Sequence, residues 1–163
     1  MARRVFFAFH YERDVWRAGQ VRNSWVTKPD REDAGFWDAA SWEKVKREGK
    51  EAIEKWIREQ LKGTSVTAVL IGAETASREW VTFEIKESYT RGNGLLGIYI
   101  HNIKDKDGYT DSKGTNPFNS IYIDQNGRKV YFSELYPTYD WVNDSGYENL
   151  GDWVEKAAKK AGR

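Results

Sequence analysis

The stretch Val66-Thr67-Ala68-Val69-Leu70-Ile71-Gly72 decides the fold. Its apolar, largely β-branched residues show no polar alternation. Such a run reads as a strand buried on both faces, the mark of a parallel sheet. Upstream, Trp42, Val45, Gly49, Ala52, Ile53, Trp56, Ile57 and Leu61 recur at spacings of three and four. That is the apolar stripe of one amphipathic helix, with Ser41 as its N-cap and Gly63 as its stop. Downstream, Thr75 or Ser77 caps a helix running through Trp80, Val81, Glu84, Ile85, Ser88 and Tyr89 to Gly92. Further out, residues 5–9 and 95–100 repeat the buried-strand pattern. Residues 14–25 carry Val15, Trp16, Val21 and Trp25 in helical register, and residues 147–161 place Leu150, Trp153, Val154 and Ala157 on one helix face.

Between these lie weaker signals. Residues 28–33 are polar, contain Pro29 and read as loop, while residues 34–37 read as a short second strand. Residues 104–119 form a long polar loop. Residues 121–123, 124–127 and 129–132 read as strand, turn and strand of a hairpin. Strands and helices therefore alternate along residues 1–163, which fits one domain of this length. Right-handed crossovers give a flavodoxin-like, three-layer α/β fold. Its central sheet is mainly parallel, with an added hairpin on the C-terminal side. Ligands in such folds bind beyond the carboxyl ends of the strands, here near Phe9-His10-Tyr11, Trp37-Asp38, Ile71-Gly72 and Ile100-His101-Asn102.

Composition narrows the function. Twenty-six Lys and Arg face 25 Asp and Glu, a formal net charge of +1. Nucleic-acid binding is not expected, because phosphate neutralisation needs a basic excess or patch. Lys156, Lys159, Lys160 and Arg163 read as a solvated helix end favoured by the dipole. The chain has no cysteine, so thiol nucleophiles, thiolate metal sites and disulfides are excluded. No run approaches the roughly 20 apolar residues of a membrane span, and the apolar stretch after Arg3-Arg4 is too short for a signal peptide. A cytoplasmic protein without a membrane partner is expected.

Several chemistries find no support. There is no glycine-rich phosphate loop and no nucleophile-elbow pattern around a serine. Two histidines, His10 and His101, give little basis for a zinc site. Asp105, Asp107 and Asp111 resemble a calcium loop, but Asn116 stands where the bidentate Glu is needed. No metal or cofactor is expected. A phospho-accepting response regulator needs acidic residues after the first strand and an Asp after the third; Phe9-His10-Tyr11 and Gly72-Ala73 stand there instead.

Spaced motifs carry a family likeness. They are residues 4–11 (RVFFAFHY), 21–27 (VRNSWVT) with 35–39 (GFWDA), 63–72 (GTSVTAVLIG), and 80–85 (WVTFEI), extended by 139–142 (YDWV). In this order they resemble the TIR-like domains of Thoeris antiphage defence. The resemblance implies an enzyme whose substrate is NAD+, a glycohydrolase or ADP-ribosyl cyclase. Its ADP-ribose-derived product activates a separate effector protein. It also implies self-assembly, in which the loop at residues 38–41 completes a neighbour's pocket. The family's Trp-x-x-x-Glu motif maps to Trp80 and Glu84, with Glu84 as the catalytic residue. Trp80 and Glu84 share a helix face.

Spacing alone favours an exposed helix Glu paired with Lys86 or Arg91, and it is the resemblance that turns the reading to catalysis. The other candidates carry similar alternatives. Phe9, His10 and Tyr11 stand where the family holds the nicotinamide end; core packing for Phe9 and a surface role for His10 are the plain readings. Asp38 either binds a ribose hydroxyl or caps a turn. Trp42 either lines the pocket or packs in the core, on whose stripe it lies, and Trp80 packs at the pocket edge and positions Glu84. A non-catalytic TIR interaction module and a nucleotide binder outside immunity are the competing functions. The sequence names neither the product nor the trigger, and assigns residues 104–132 no role.

Overall fold

The computed structural model describes residues 3–27, 31–33 and 39–163. Five strands form one sheet: β1 (Arg3–Ala8), β2 (Arg31–Asp33), β3 (Val66–Ile71), β4 (Gly94–Tyr99) and, later in the chain, β7 (Thr138–Asp140). Their order is β2-β1-β3-β4-β7, and every pairing is parallel. This is the flavodoxin-like order, with its topological switch between β1 and β3. A separate antiparallel hairpin joins β5 (Tyr122–Gln125) to β6 (Arg128–Tyr131).

All six residues of β3 are buried. Each face of the sheet must therefore be covered. On one face lie α1 (Tyr11–Val26) and α6 (Gly146–Lys160). Val5, Phe7, Ala68 and Leu70 pack there against Ala18, Val21, Trp25, Leu150 and Trp153. On the other face lie α2 (Ala39–Glu48), α3 (Lys50–Leu61) and α4 (Glu79–Thr90). Phe6, Ala8, Val69 and Ile71 meet Trp42, Ile53, Ile57, Val81 and Ile85 on that side. A short helix, α5 (Phe132–Leu135), follows the hairpin and adds Phe132 to this second core.

The structure corrects the sequence reading in several places. The second strand is Arg31–Asp33, inside the stretch read as loop; the expected strand at 34–37 lies outside the described residues. The long helix is two helices. Gly49 separates them with φ of +100°, a backbone conformation that favours glycine. Ser41 lies within α2 and is not its N-cap. Thr75 and Ser77 form a 3₁₀ turn, and α4 starts after Arg78 without a side-chain cap. Thr75 instead accepts a 2.7 Å hydrogen bond at Oγ1 from the Gly72 N–H, closing the end of β3. Strand β7 and helix α5 have no counterpart in the sequence reading. The basic residues near the C-terminus are not all solvated: Arg163 donates to the carbonyls of Arg91 and Gly92 and to Asn93 Oδ1.

Close approach of α6 to β4 depends on Gly94, where a Cβ would overlap the Ala157 carbonyl. A backbone obstacle cannot swing aside as a side chain does. Gly94→Ala is expected to destabilise the protein by about 1–3 kcal/mol through overpacking. Urea unfolding of wild type and variant checks this; a change under about 0.5 kcal/mol, the size of an ordinary surface substitution, would refute the tight contact.

Candidate active site

The carboxyl end of β1 runs directly into α1. His10 is the N-cap of that helix, and its Nδ1 accepts a hydrogen bond from the Arg13 N–H at 3.3 Å. The ring is thereby fixed as an acceptor at Nδ1. Burial, and then the nearby Arg78 cation, hold its pKa below the ordinary histidine value. His10 is buried, not a surface residue as one plain reading expected. Phe9 and Tyr11 flank it, with ring centroids 6.2 Å apart, and Tyr11 meets Trp42 at 6.0 Å.

The opposite wall comes from α4. Val81 and Ile85 pack on the sheet, so the adjoining residue Glu84 is carried inward and only 3% of it is exposed. No hydrogen bond or ion pair to its carboxylate is formed among the described residues, and the exposed pairing with Lys86 or Arg91 does not occur. Burial alone pushes its pKa well above the usual carboxylate range. Trp80, one turn earlier, is half-buried and packs edge-on against Phe83 at 5.8 Å.

These residues converge. One narrow cleft is lined by Phe9, His10, Tyr11, Trp42, Trp80 and Glu84, together with Glu12, Arg78 and Val81. Thus the sequence-derived candidates gather at one place, save Asp38, which lies outside the described residues. Phe9 and Trp42 serve the core as well as the cleft. Glu12 and Arg78 were not anticipated. Glu12 bonds Lys46 at 3.2 Å, whereas Arg78 forms no side-chain hydrogen bond or ion pair among the described residues. The cleft itself holds about 20 Å³, room for about one water.

Beside the cleft, Asp14 is buried one helical turn after His10. Both of its carboxylate oxygens lack a hydrogen-bond partner. They fill the space a side chain at Gly72 would take. Burial raises the Asp14 pKa to about 6 despite the nearby cations of Arg13 and Arg17. Those two arginines hold the loop that follows β4. Arg13 donates to both Asp111 oxygens at 3.0 Å, and Arg17 donates to the carbonyls of Ile103 at 2.7 Å and Tyr109 at 2.8 Å. Asp105 accepts from the N–H groups of Asp107 and Tyr109, so the faint calcium-loop pattern folds as a turn closed on itself. No helix among the described residues is long and apolar enough to cross a membrane.

Residues 6–105 match the family model described as Thoeris protein ThsB, TIR-like domain. A Bacillus cereus (strain MSX-D12) protein, provisionally named cyclic ADP-D-ribose synthase ThsB1, is similar throughout. It is 36% identical over 191 aligned residues, covering 94% of this chain and 100% of that protein.

The elevated Asp14 pKa has a sign that can be checked. The native state holds this proton more tightly than the unfolded chain. The contribution to stability is therefore most favourable at low pH and is lost as pH rises from about 4 through about 6. Asp14→Asn removes the titration. The stability of the variant relative to wild type is expected to rise by about 2 kcal/mol between pH 4 and pH 8. Urea unfolding at both values measures it, and a difference independent of pH would show that Asp14 is not a buried, unpartnered acid.

Proposed function

The chain belongs to the Thoeris ThsB family of TIR-like domains, and from that membership we propose that it cleaves NAD+ and makes an ADP-ribose-derived signal, with Glu84 as the catalytic residue. The observation that carries this reading is the Glu84 carboxyl, buried and unpartnered at the end of β1 and facing a cleft walled by aromatic rings. A buried carboxyl without a countercharge is costly. Helices seldom retain one for packing, and perturbed acids in clefts favour functional sites.

NAD+ supplies the missing charge. Its nicotinamide ring is cationic, and cleavage of the bond from ribose C1′ to the ring nitrogen develops an oxocarbenium-like sugar. A carboxylate beside that carbon is stabilised by the cation, so substrate binding draws the Glu84 proton off and leaves the charged form where it is needed. The bonding pair departs with neutral nicotinamide, and no strong general acid is required. Phe9, Tyr11 and Trp80 offer ring faces for the nicotinamide. Water attacking C1′ gives ADP-ribose, and a nitrogen of the adenine gives a cyclic isomer. The provisional name of the Bacillus cereus relative, cyclic ADP-D-ribose synthase, favours cyclisation. The product then acts on a separate effector, and a second copy completes the pocket; residues 39–41, expected as part of the loop that does so, are instead the first turn of α2.

A space of about 20 Å³ does not admit a nicotinamide ring, so Tyr11, Trp42 or Trp80 must move to admit it. That closed cleft is the one observation favouring the alternative, a TIR module acting through protein contacts alone.

Chromatography of NAD+ incubated with wild type and Glu84→Gln separates the two. The isosteric amide cannot stabilise the cation, and a loss of at least about 100-fold in turnover is expected, with the circular dichroism spectrum unchanged. Specific activity rising with protein concentration is the expected sign of a pocket completed by a second copy. Equal turnover by the two proteins would remove Glu84 from the chemistry. No turnover by either, even at high concentration, would favour the interaction module.

A further inference from the structure

A second and larger cavity lies at the other end of the molecule. It holds about 650 Å³, within the range typical of small-molecule sites. It opens at the amino end of β4, remote from the carboxyl-end cleft that contains Glu84. Its walls are Tyr89 from the last turn of α4, Leu135 from α5, Tyr136, Tyr139 from β7, and Lys156 and Lys160 from α6. Ile123 and Gln125 of the hairpin, within the stretch 104–132 that the sequence left without a role, line it as well.

The chemistry of the walls is specific. Tyr89 and Tyr136 are held against Phe132 at 5.1 and 5.4 Å, and Tyr139 lies flat on Trp153 at 4.2 Å. Three fixed phenol rings thus border the space. None of their hydroxyls bonds to protein among the described residues, and burial raises the pKa of Tyr136 and Tyr139, so both remain donors.

Charge is one-sided. Lys156 forms no ion pair among the described residues. Lys160 donates to the Leu135 carbonyl and lies 5.6 Å over the Tyr136 ring. Glu134 is the one acid in the lining, and it is spent on Arg128 at 3.0 Å and the Tyr131 N–H at 2.8 Å. The helix C-termini nearby would repel an anion, but their carbonyls are capped. Arg163 covers those of Arg91 and Gly92, and the N–H groups of residues 161–163 cover those of Ala157, Ala158 and Lys159. What is left is a cationic space walled by aromatic rings and hydroxyl donors.

We propose that this cavity is a second ligand site, which takes a small anion bearing a planar ring, of the size of a nucleoside monophosphate. The ring lies among Tyr89, Tyr136 and Tyr139, and the anionic group meets Lys156 and Lys160. The site is distinct from the Glu84 cleft and does not depend on NAD+ cleavage.

The test is calorimetric titration with adenosine monophosphate, with adenosine and inorganic phosphate as partial probes. Wild type is expected to bind the monophosphate at least tenfold more tightly than either fragment. Lys156→Glu reverses an exposed charge and leaves the fold intact; it is expected to weaken binding at least tenfold. Trp80→Ala, in the other cleft, is expected to change it less than twofold. Three results would each overturn the proposal. They are no binding up to about 5 mM, a range weaker than ordinary site affinities; binding indifferent to Lys156→Glu; and binding lost in Trp80→Ala. All arms are read without NAD+, so the outcome stands whether or not the chain consumes it.

Discussion

Everything in this molecule follows from burying β3 on both faces. A strand with no exposed residue has no solvent side, so the chain must supply apolar helix faces above and below it. Helices α1 and α6 meet one demand, and α2, α3 and α4 meet the other. Parallel pairing then brings the carboxyl ends of β1 and β3 to the same edge, where the chain leaves the sheet in opposite directions. The crevice that opens there is a product of topology before any side chain is chosen. Glu84 is buried beside it because α4 must lie flat on the sheet for Val81 and Ile85 to be covered.

That placement works against stability. Glu84 and Asp14 are both acids held inside the protein without a bonded partner, and in each burial favours the protonated form. Two such groups within the same region are a strain that packing elsewhere offsets. The surrounding positions are correspondingly firm. His10 caps α1, Arg17 is buried and bonded to two carbonyls, and Thr75 closes the end of β3. The acids lack bonds, while His10, Arg17 and Thr75 around them are held by theirs.

How much of this was legible follows element by element. Strands β1, β3 and β4 were readable because each is a continuous apolar run, and the burial that produced the run also defines the strand. The two edge strands were not. Arg31-Glu32-Asp33 is wholly charged, and an edge strand pairs on one side only, so it needs no apolar signature. Thr138–Asp140 is too short to show a period. At Gly49 the apolar stripe continues across a break, since both helices pack on the same core, and periodicity alone cannot see the φ that divides them. Glu84 was singled out by family likeness and not by spacing, which favours an exposed helix acid. Asp14 was visible in principle: it falls on the stripe of Ala18, Val21 and Trp25, where a carboxylate has no ordinary place. Arg78 and Glu12 carry no such signal, because what sets them at the cleft is the chain reversal between β3 and α4 and the first turn of α1.

The Gly49 break sets one wall of the cleft on a helix of its own. Because α2 ends there, Trp42 is carried by a ten-residue helix separate from α3, and the two are anchored in one core, α2 by Trp42 and Val45 and α3 by Ile53, Ile57 and Leu61. Gly49 holds φ of +100°, so a side chain at that position would strain the junction of α2 and α3 and alter how α2 lies beside the cleft.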